Sequence, residues 1–157
     1  MKVLFVCTGN TCRSPMAEAY VRHCLEARGI FDDVVASAGI CACDGAHASA
    51  GAVAVLREFG IDLSRFRSTR LEAPMLDAAD RIVCMSRSHR AAVLEIAPDC
   101  ADKTELLLGG RDVPDPYGGS GEVYRNVFAA MRPGLDAWAE RLSENSVSDA
   151  QFNNTGE

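Results

Sequence analysis

Val3-Leu4-Phe5-Val6-Cys7-Thr8-Gly9-Asn10-Thr11-Cys12-Arg13-Ser14-Pro15 runs from an apolar stretch, through a polar loop, to a Ser-Pro pair. Four consecutive apolar residues predict a buried strand, and Ser14 with Pro15 predicts an N-cap followed by the first helical residue. The residues between them therefore join a strand to a helix. Gly9 and Asn10 tolerate backbone angles that turn successive amide N–H groups inward, which makes a concave nest at the positive end of a helix, a site suited to phosphate.

Outward from this stretch, strands alternate with helices. Residues 16–27 have helical spacing through Ala19, Tyr20, Cys24 and Leu25, with a stop at Arg28-Gly29. A second strand is predicted at 34–36, leading into Ser37-Ala38-Gly39. A small-residue helix over 46–59 closes at Gly60, and 61–70 reads as an irregular connection before a shorter helical piece over 71–78. A third strand is predicted at 81–85, a helix at 88–96 stopped by Pro98, and a fourth strand at 104–108. Residues 109–121, rich in Gly, Pro and Asp, form a long loop, and 123–142 form the last helix with Trp138 as a core anchor. From Ser143 the chain is polar without periodicity, so the expectation is a domain over 1–142 and a disordered tail over 143–157. Alternating strands and helices imply an α/β domain, a parallel sheet with helices on both faces, whose ligand binds beyond the carboxyl ends of the strands. The Cys7 loop lies at one of those ends.

Composition narrows the class. The chain has 157 residues, 48% of them hydrophobic and 24% charged, which fits one globular domain with a real core. No stretch approaches the roughly 20 apolar residues that span a bilayer. The N-terminal apolar run breaks after Val6 and has no secretory cleavage pattern, so a cytoplasmic protein without membrane insertion is expected. Seven cysteines, an odd number without paired spacing, point to a reducing compartment. Cys24 and Cys84 read as core residues. Cys12 shares the loop with Cys7 and is a candidate for a reversible disulfide that shields it. Cys41-x-Cys43 has no second pair at ligand spacing, so no metal is expected.

The formal charge is −6. Such a protein cannot draw in a phosphorylated substrate by its whole field, and anion affinity has to be local. No Lys/Arg stripe with interleaved aromatics suggests nucleic acid. Arg65-Phe66-Arg67 with Arg70 is the one dense basic patch, either a solvated loop or a contact for an acidic phosphopeptide.

Chemistry concentrates on two residues of the loop. Amide dipoles and a guanidinium around Cys7 favour its thiolate, a nucleophile able to attack phosphorus. Arg13 offers a planar grip on two phosphoryl oxygens that Lys cannot match. Ser14 can cap the helix and donate its hydroxyl to the sulfur. Attack must expel an alkoxide or phenoxide, and a phenol of pKa about 10 leaves far better when protonated, so a carboxylic acid is needed. Asp115, in Val113-Pro114-Asp115-Pro116-Tyr117-Gly118-Gly119, is the candidate, with a turn aspartate as the other reading and Asp112 as a competitor.

Cys7-Thr8-Gly9-Asn10-Thr11-Cys12-Arg13-Ser14-Pro15-Met16-Ala17-Glu18 resembles the signature of the low-molecular-weight protein tyrosine phosphatases of bacterial type, over residues 1–142. The resemblance implies a single three-layer domain with a four-stranded parallel sheet in the order 2-1-3-4. It also implies that Cys7 is the nucleophile and that Arg13 binds phosphate within a loop of Thr8, Gly9, Asn10, Thr11, Cys12 and Ser14. Asp115 then protonates the leaving oxygen and later deprotonates the hydrolytic water. Ile40, Cys43 and Tyr117 form the pocket wall. The family usually has Thr where Ile40 stands and Trp or Leu near Cys43, and an Asp-Pro is replaced by Ser49-Ala50. The implied enzyme is a cofactor-free, metal-free phosphatase, a monomer or weak dimer, acting on phosphotyrosine in a protein. The Asp-Pro-Tyr-Gly-Gly-Ser run looks like members acting on tyrosine autokinases of polysaccharide export. Arsenate reduction on the same fold is the rival, and a non-catalytic phosphotyrosine-binding module a third reading.

Overall fold

The computed structural model describes residues 1–152, with side chains through 148. Strand β1 (Val3–Cys7) is buried at every position and lies inside a four-stranded parallel sheet. Its neighbours are β2 (Val35–Gly39) and β3 (Arg81–Cys84), with β4 (Thr104–Leu106) beyond β3, so the order is β2-β1-β3-β4. Both faces are covered, which is why β1 reads as an unbroken apolar run. Alternation divides it: Val3, Phe5 and Cys7 pack into one core with Met16, Tyr20, Phe128 and Leu135, while Leu4 and Val6 pack into a second with Leu76, Ile82 and Val93. The first core lies under α1 (Arg13–Glu26), α2 (Ala50–Glu58) and α5 (Gly121–Phe152), and the second under α3 (Ala73–Ala78) and α4 (Arg87–Ile96). Cys7 pairs with Gly39 at the carboxyl edge of the sheet, where the ligand end was expected.

Three expectations are corrected. Ser14 is not the cap of α1: the helix starts at Arg13 with Cys12 as N-cap and no side-chain capping bond, because the Ser14 hydroxyl is committed to the loop. The helix after β2 starts at Ala50, not 46. Ser49 caps it through Ala52 N, while Ala46 N is taken by Ser68 Oγ and His47 bridges Arg67. The last helix passes Leu142 and continues to Phe152, where an irregular tail was expected from Ser143. A helix anchored by a packed face extends at one bond per residue without further apolar periodicity. The Ser143 and Ser146 hydroxyls add bonds to the Ala139 and Leu142 carbonyls. Residues 153–157 of the expected tail lie outside the described residues. Trp138 and Cys84 are buried in the cores as expected, and burial pushes the Cys84 thiol up to about 12, leaving it inert.

Candidate active site

The loop between Cys7 and Arg13 turns on Asn10, which adopts a left-handed φ of 53° and is fully buried. Its side chain holds that conformation from both ends. Nδ2 donates to Ser14 Oγ at 2.8 Å and to Ser37 Oγ at 2.9 Å, and Oδ1 accepts from Thr69 N at 2.8 Å. The Ser37 hydroxyl in turn donates to Glu18 Oε2 at 2.6 Å, and burial raises the Glu18 carboxyl against the pull of Ser37 and Arg22. Gly39 is required beside this loop. A Cβ there would lie 2.6 Å from Thr8 O and 2.7 Å from Asn10 N, so the strand passes the loop at backbone distance.

Ser14 Oγ lies 2.8 Å from Cys7 Sγ. Because it already accepts from Asn10, its own proton is available to the sulfur. Cys7 is 2% exposed and forms the floor of a cavity of about 220 Å3 lined by Cys7, Thr8, Gly9, Thr11, Cys12, Arg13, Asp115 and Tyr117. Arg13, on the first turn of α1, is clamped at both nitrogens: Nη1 donates to Val113 O at 3.0 Å and Nη2 to Thr8 Oγ1 at 3.4 Å. Nη2 also faces Asp115 Oδ2 at 3.7 Å.

Asp115 combines both readings made of it. Oδ1 accepts from Tyr117 N at 3.1 Å, an Asx turn, while Oδ2 faces Arg13 at the cavity and the side chain stays 56% exposed. Asp112 points elsewhere, accepting from Arg87 N at the start of α4. Of the expected wall, Tyr117 lines the cavity, and Ile40 and Cys43 are not among the residues that line it. Ile40 is half-buried against the Leu4–Val6 core and Cys43 is exposed, since residues 39–45 are stapled to 68–71 through Leu71 N to Gly39 O and Gly45 N to Ser68 O.

Cys12 is buried, with Sγ donating to Ser49 Oγ at 3.2 Å and 3.3 Å from the Tyr124 hydroxyl, whose pKa burial raises. All seven cysteines are free. Arg65, Arg67 and Arg70 are exposed, with Arg67 donating to the Phe66 carbonyl.

One residue of this neighbourhood escaped the sequence reading. His89 on α4 is 5% exposed and its Nε2 lies 2.7 Å from Thr8 Oγ1. The available signal was positional: α4 follows β3, and its first turn meets the same sheet edge as the Cys7 loop.

A thiol and a guanidinium at one strand–helix loop, on the carboxyl edge of a 2-1-3-4 parallel sheet, define a class of single-domain α/β proteins with an anion site. The family model described as "Low molecular weight phosphotyrosine protein phosphatase" matches residues 2–148, and the chain belongs to this family of phosphatases. A protein-arginine-phosphatase of Geobacillus stearothermophilus is 40% identical over 146 residues, covering 90% of this chain and 95% of that one. The low molecular weight protein-tyrosine-phosphatase Etp of Escherichia coli K12 is 35% identical, covering 90% of this chain and 94% of its own. Among solved structures, a YwlE mutant from Bacillus subtilis superposes with a TM-score of 0.83 at 33% identity, over 90% of this chain and 98% of that one. The tyrosine phosphatase Wzb of Escherichia coli K30, in complex with sulphate, has a TM-score of 0.80 at 31% identity, over 90% of this chain and 97% of its own. Among the described residues no helix is long and apolar enough to cross a membrane.

Proposed function

We propose that this chain hydrolyses phosphorylated side chains of proteins through a phosphocysteine intermediate. The observation that carries the reading is the convergence of Cys7, Arg13 and Asp115 on one cavity. The Cys7 thiolate attacks phosphorus and forms the S–P bond while the bond to the leaving atom breaks, and Asp115 delivers its proton to that atom. Arg13 and the loop amides hold the phosphoryl oxygens as charge spreads over them. Asp115, now a carboxylate, takes a proton from water; the water oxygen bonds to phosphorus, the S–P bond breaks, and inorganic phosphate leaves. The Ser14 hydroxyl stabilises the thiolate as it re-forms.

Two leaving groups are in contention. Phosphotyrosine is the substrate expected from the sequence and fits relatives named Etp, Wzb and EpsP as tyrosine phosphatases, with a tyrosine kinase of polysaccharide export as the partner. Phosphoarginine is the second, and relatives at 40% and 34% identity are named protein-arginine-phosphatases. The lining supports the second. Its mouth offers the side chains of Thr8 and Thr11, the Asp115 carboxylate and one aromatic, Tyr117, that is 77% exposed. A phenyl ring gains most between two apolar walls, whereas a guanidino group gains from a carboxylate and hydroxyls. Arsenate reduction is less favoured: Cys84, which ends the third strand, and Cys100, beyond it, sit in the core across the sheet from Cys7, where they cannot relay a disulfide.

The deciding experiment sets a phosphotyrosine peptide, a phosphoarginine peptide, a phosphoserine peptide and arsenate against the wild type and Cys7→Ser. Release of phosphate from the arginine or tyrosine peptide by the wild type alone supports the reading, and the faster of the two names the substrate. Turnover by Cys7→Ser, or arsenate-dependent thiol consumption without phosphatase activity, overturns it.

A further inference from the structure

The first residue after the nucleophile is tied to a helix 81 positions away. Thr8 Oγ1 lies 2.7 Å from His89 Nε2 and 3.4 Å from Arg13 Nη2. A guanidinium has no acceptor, so Arg13 donates and Thr8 Oγ1 receives through a lone pair. In the neutral tautomer that carries the ring proton on Nδ1, the Thr8 proton goes to His89 Nε2, and that nitrogen is the acceptor. Nδ1 lies 2.9 Å from Ser86 Oγ, which also accepts from His89 N at 3.3 Å and gives its own proton to Ser88 Oγ at 2.8 Å. In this tautomer the chain Arg13, Thr8, His89, Ser86, Ser88 runs in one direction through a neutral imidazole. Burial and the Arg13 charge keep it so, with the ring pKa pushed down to about 4.

This chain has consequences for the guanidinium. Nη1 is held by the Val113 carbonyl and Nη2 by Thr8, so the plane of the fork depends on Thr8 presenting a lone pair and not a proton. Without that acceptor the Thr8 hydroxyl is no longer held in one rotamer, and the second clamp on the guanidinium loosens. We propose that His89 is a positioning residue: by accepting the Thr8 hydroxyl proton it turns a Thr8 lone pair to Arg13 and fixes the guanidinium in the plane that grips the phosphoryl group. The inference rests on the reading of Arg13 as phosphate ligand and assigns that ligand its orienting partner.

The test compares His89→Leu, His89→Gln, Thr8→Val and the Thr8→Val/His89→Leu double variant. The readouts are kcat and KM for an aryl phosphate and the inhibition constant of inorganic phosphate. Glutamine can place an amide oxygen where Nε2 stands and keep the acceptor, while leucine keeps bulk without it. His89→Leu is expected to lower kcat about tenfold and to weaken phosphate inhibition by a similar factor, with His89→Gln recovering most of both. The double variant is expected to be no worse than Thr8→Val, since one bond is removed once. Equal losses in His89→Leu and His89→Gln, an additive double variant, or unchanged phosphate inhibition in His89→Leu overturns the proposal. If His89→Leu does not fold, His89→Ala takes its place with the same readouts: weakened phosphate inhibition there with recovery in His89→Gln supports the proposal, and unchanged inhibition overturns it. Failure of the phosphatase reading is separate, since it shows as intact turnover in Cys7→Ser or unaltered phosphate inhibition in Arg13→Ala.

Discussion

The two loops that meet at the cavity are built in opposite ways. Residues 8–12 are short, carry a buried left-handed asparagine and are pinned by side chains from α1 and β2 and by a backbone N–H of the segment before α3. Residues 107–120 are long, and Asp115 and Tyr117 in their middle are mostly solvent-facing, held to the site by Arg13 through Val113 O and Asp115 Oδ2. An anion site works by preorganised dipoles that do not have to rearrange when charge develops. A proton donor that later serves water must stay near solvent. The difference teaches that rigidity is placed where phosphate binds, and accessibility where the leaving group departs.

Breaking the rigid side should cost most. Cys7→Ser is expected to reduce phosphatase turnover by about 10³-fold or more while leaving the fold and phosphate binding in place, read by aryl phosphate kinetics and phosphate inhibition. Gly39→Ala forces a methyl against the loop backbone and should cost about 1–3 kcal/mol in urea unfolding, with a parallel loss of kcat; a variant as stable and active as the wild type would mean the loop is softer than described. On the accessible side, Asp115→Ala should slow a poor leaving group by about 10²-fold and a good one far less, with stability nearly unchanged. Equal slowing of both would remove the acid role.

The boundary between the regions can be sharpened by pH. Burial, then the Arg13 guanidinium, lowers the His89 ring from 6.5 to about 4, with Asp112 and Asp115 opposing. The unfolded chain therefore binds the extra proton between those values, and folding stability should fall as pH drops from about 6.5 to about 4, by on the order of 3 kcal/mol from this group. His89→Gln should lack that part of the decline in urea midpoints. Smallest of all, Tyr117→Ala should shift stability by under about 0.5 kcal/mol and act on KM alone, because the ring is largely in solvent.

Most of the scaffold was legible because its signals are local. An unbroken apolar run marks a strand covered on both faces, alternating elements imply parallel pairing, and Cys7 to Arg13 carries its chemistry in consecutive residues. Asp115 was legible in identity but ambiguous in role, since an Asx turn and a proton donor look alike until a second carboxylate oxygen is seen facing Arg13. Ser14 was misread as a cap because the capping preference is local, while the bonds that claim its hydroxyl come from Cys7 and Asn10 across the loop. The surroundings of Ile40 and Cys43 were not legible for the same kind of reason: pairing of 39–45 with 68–71 is invisible to spacing.

The amino-acid sequence by itself determined a parallel α/β domain with a thiol and a guanidinium on one short loop, because strand burial and loop chemistry are written in neighbouring residues. Tertiary structure alone decided which groups hold that loop, since the Ser37 and His89 side chains, the Thr69 N–H and the Val113 carbonyl reach it from β2, from α4, from the segment before α3 and from the long loop, across separations that no periodicity encodes.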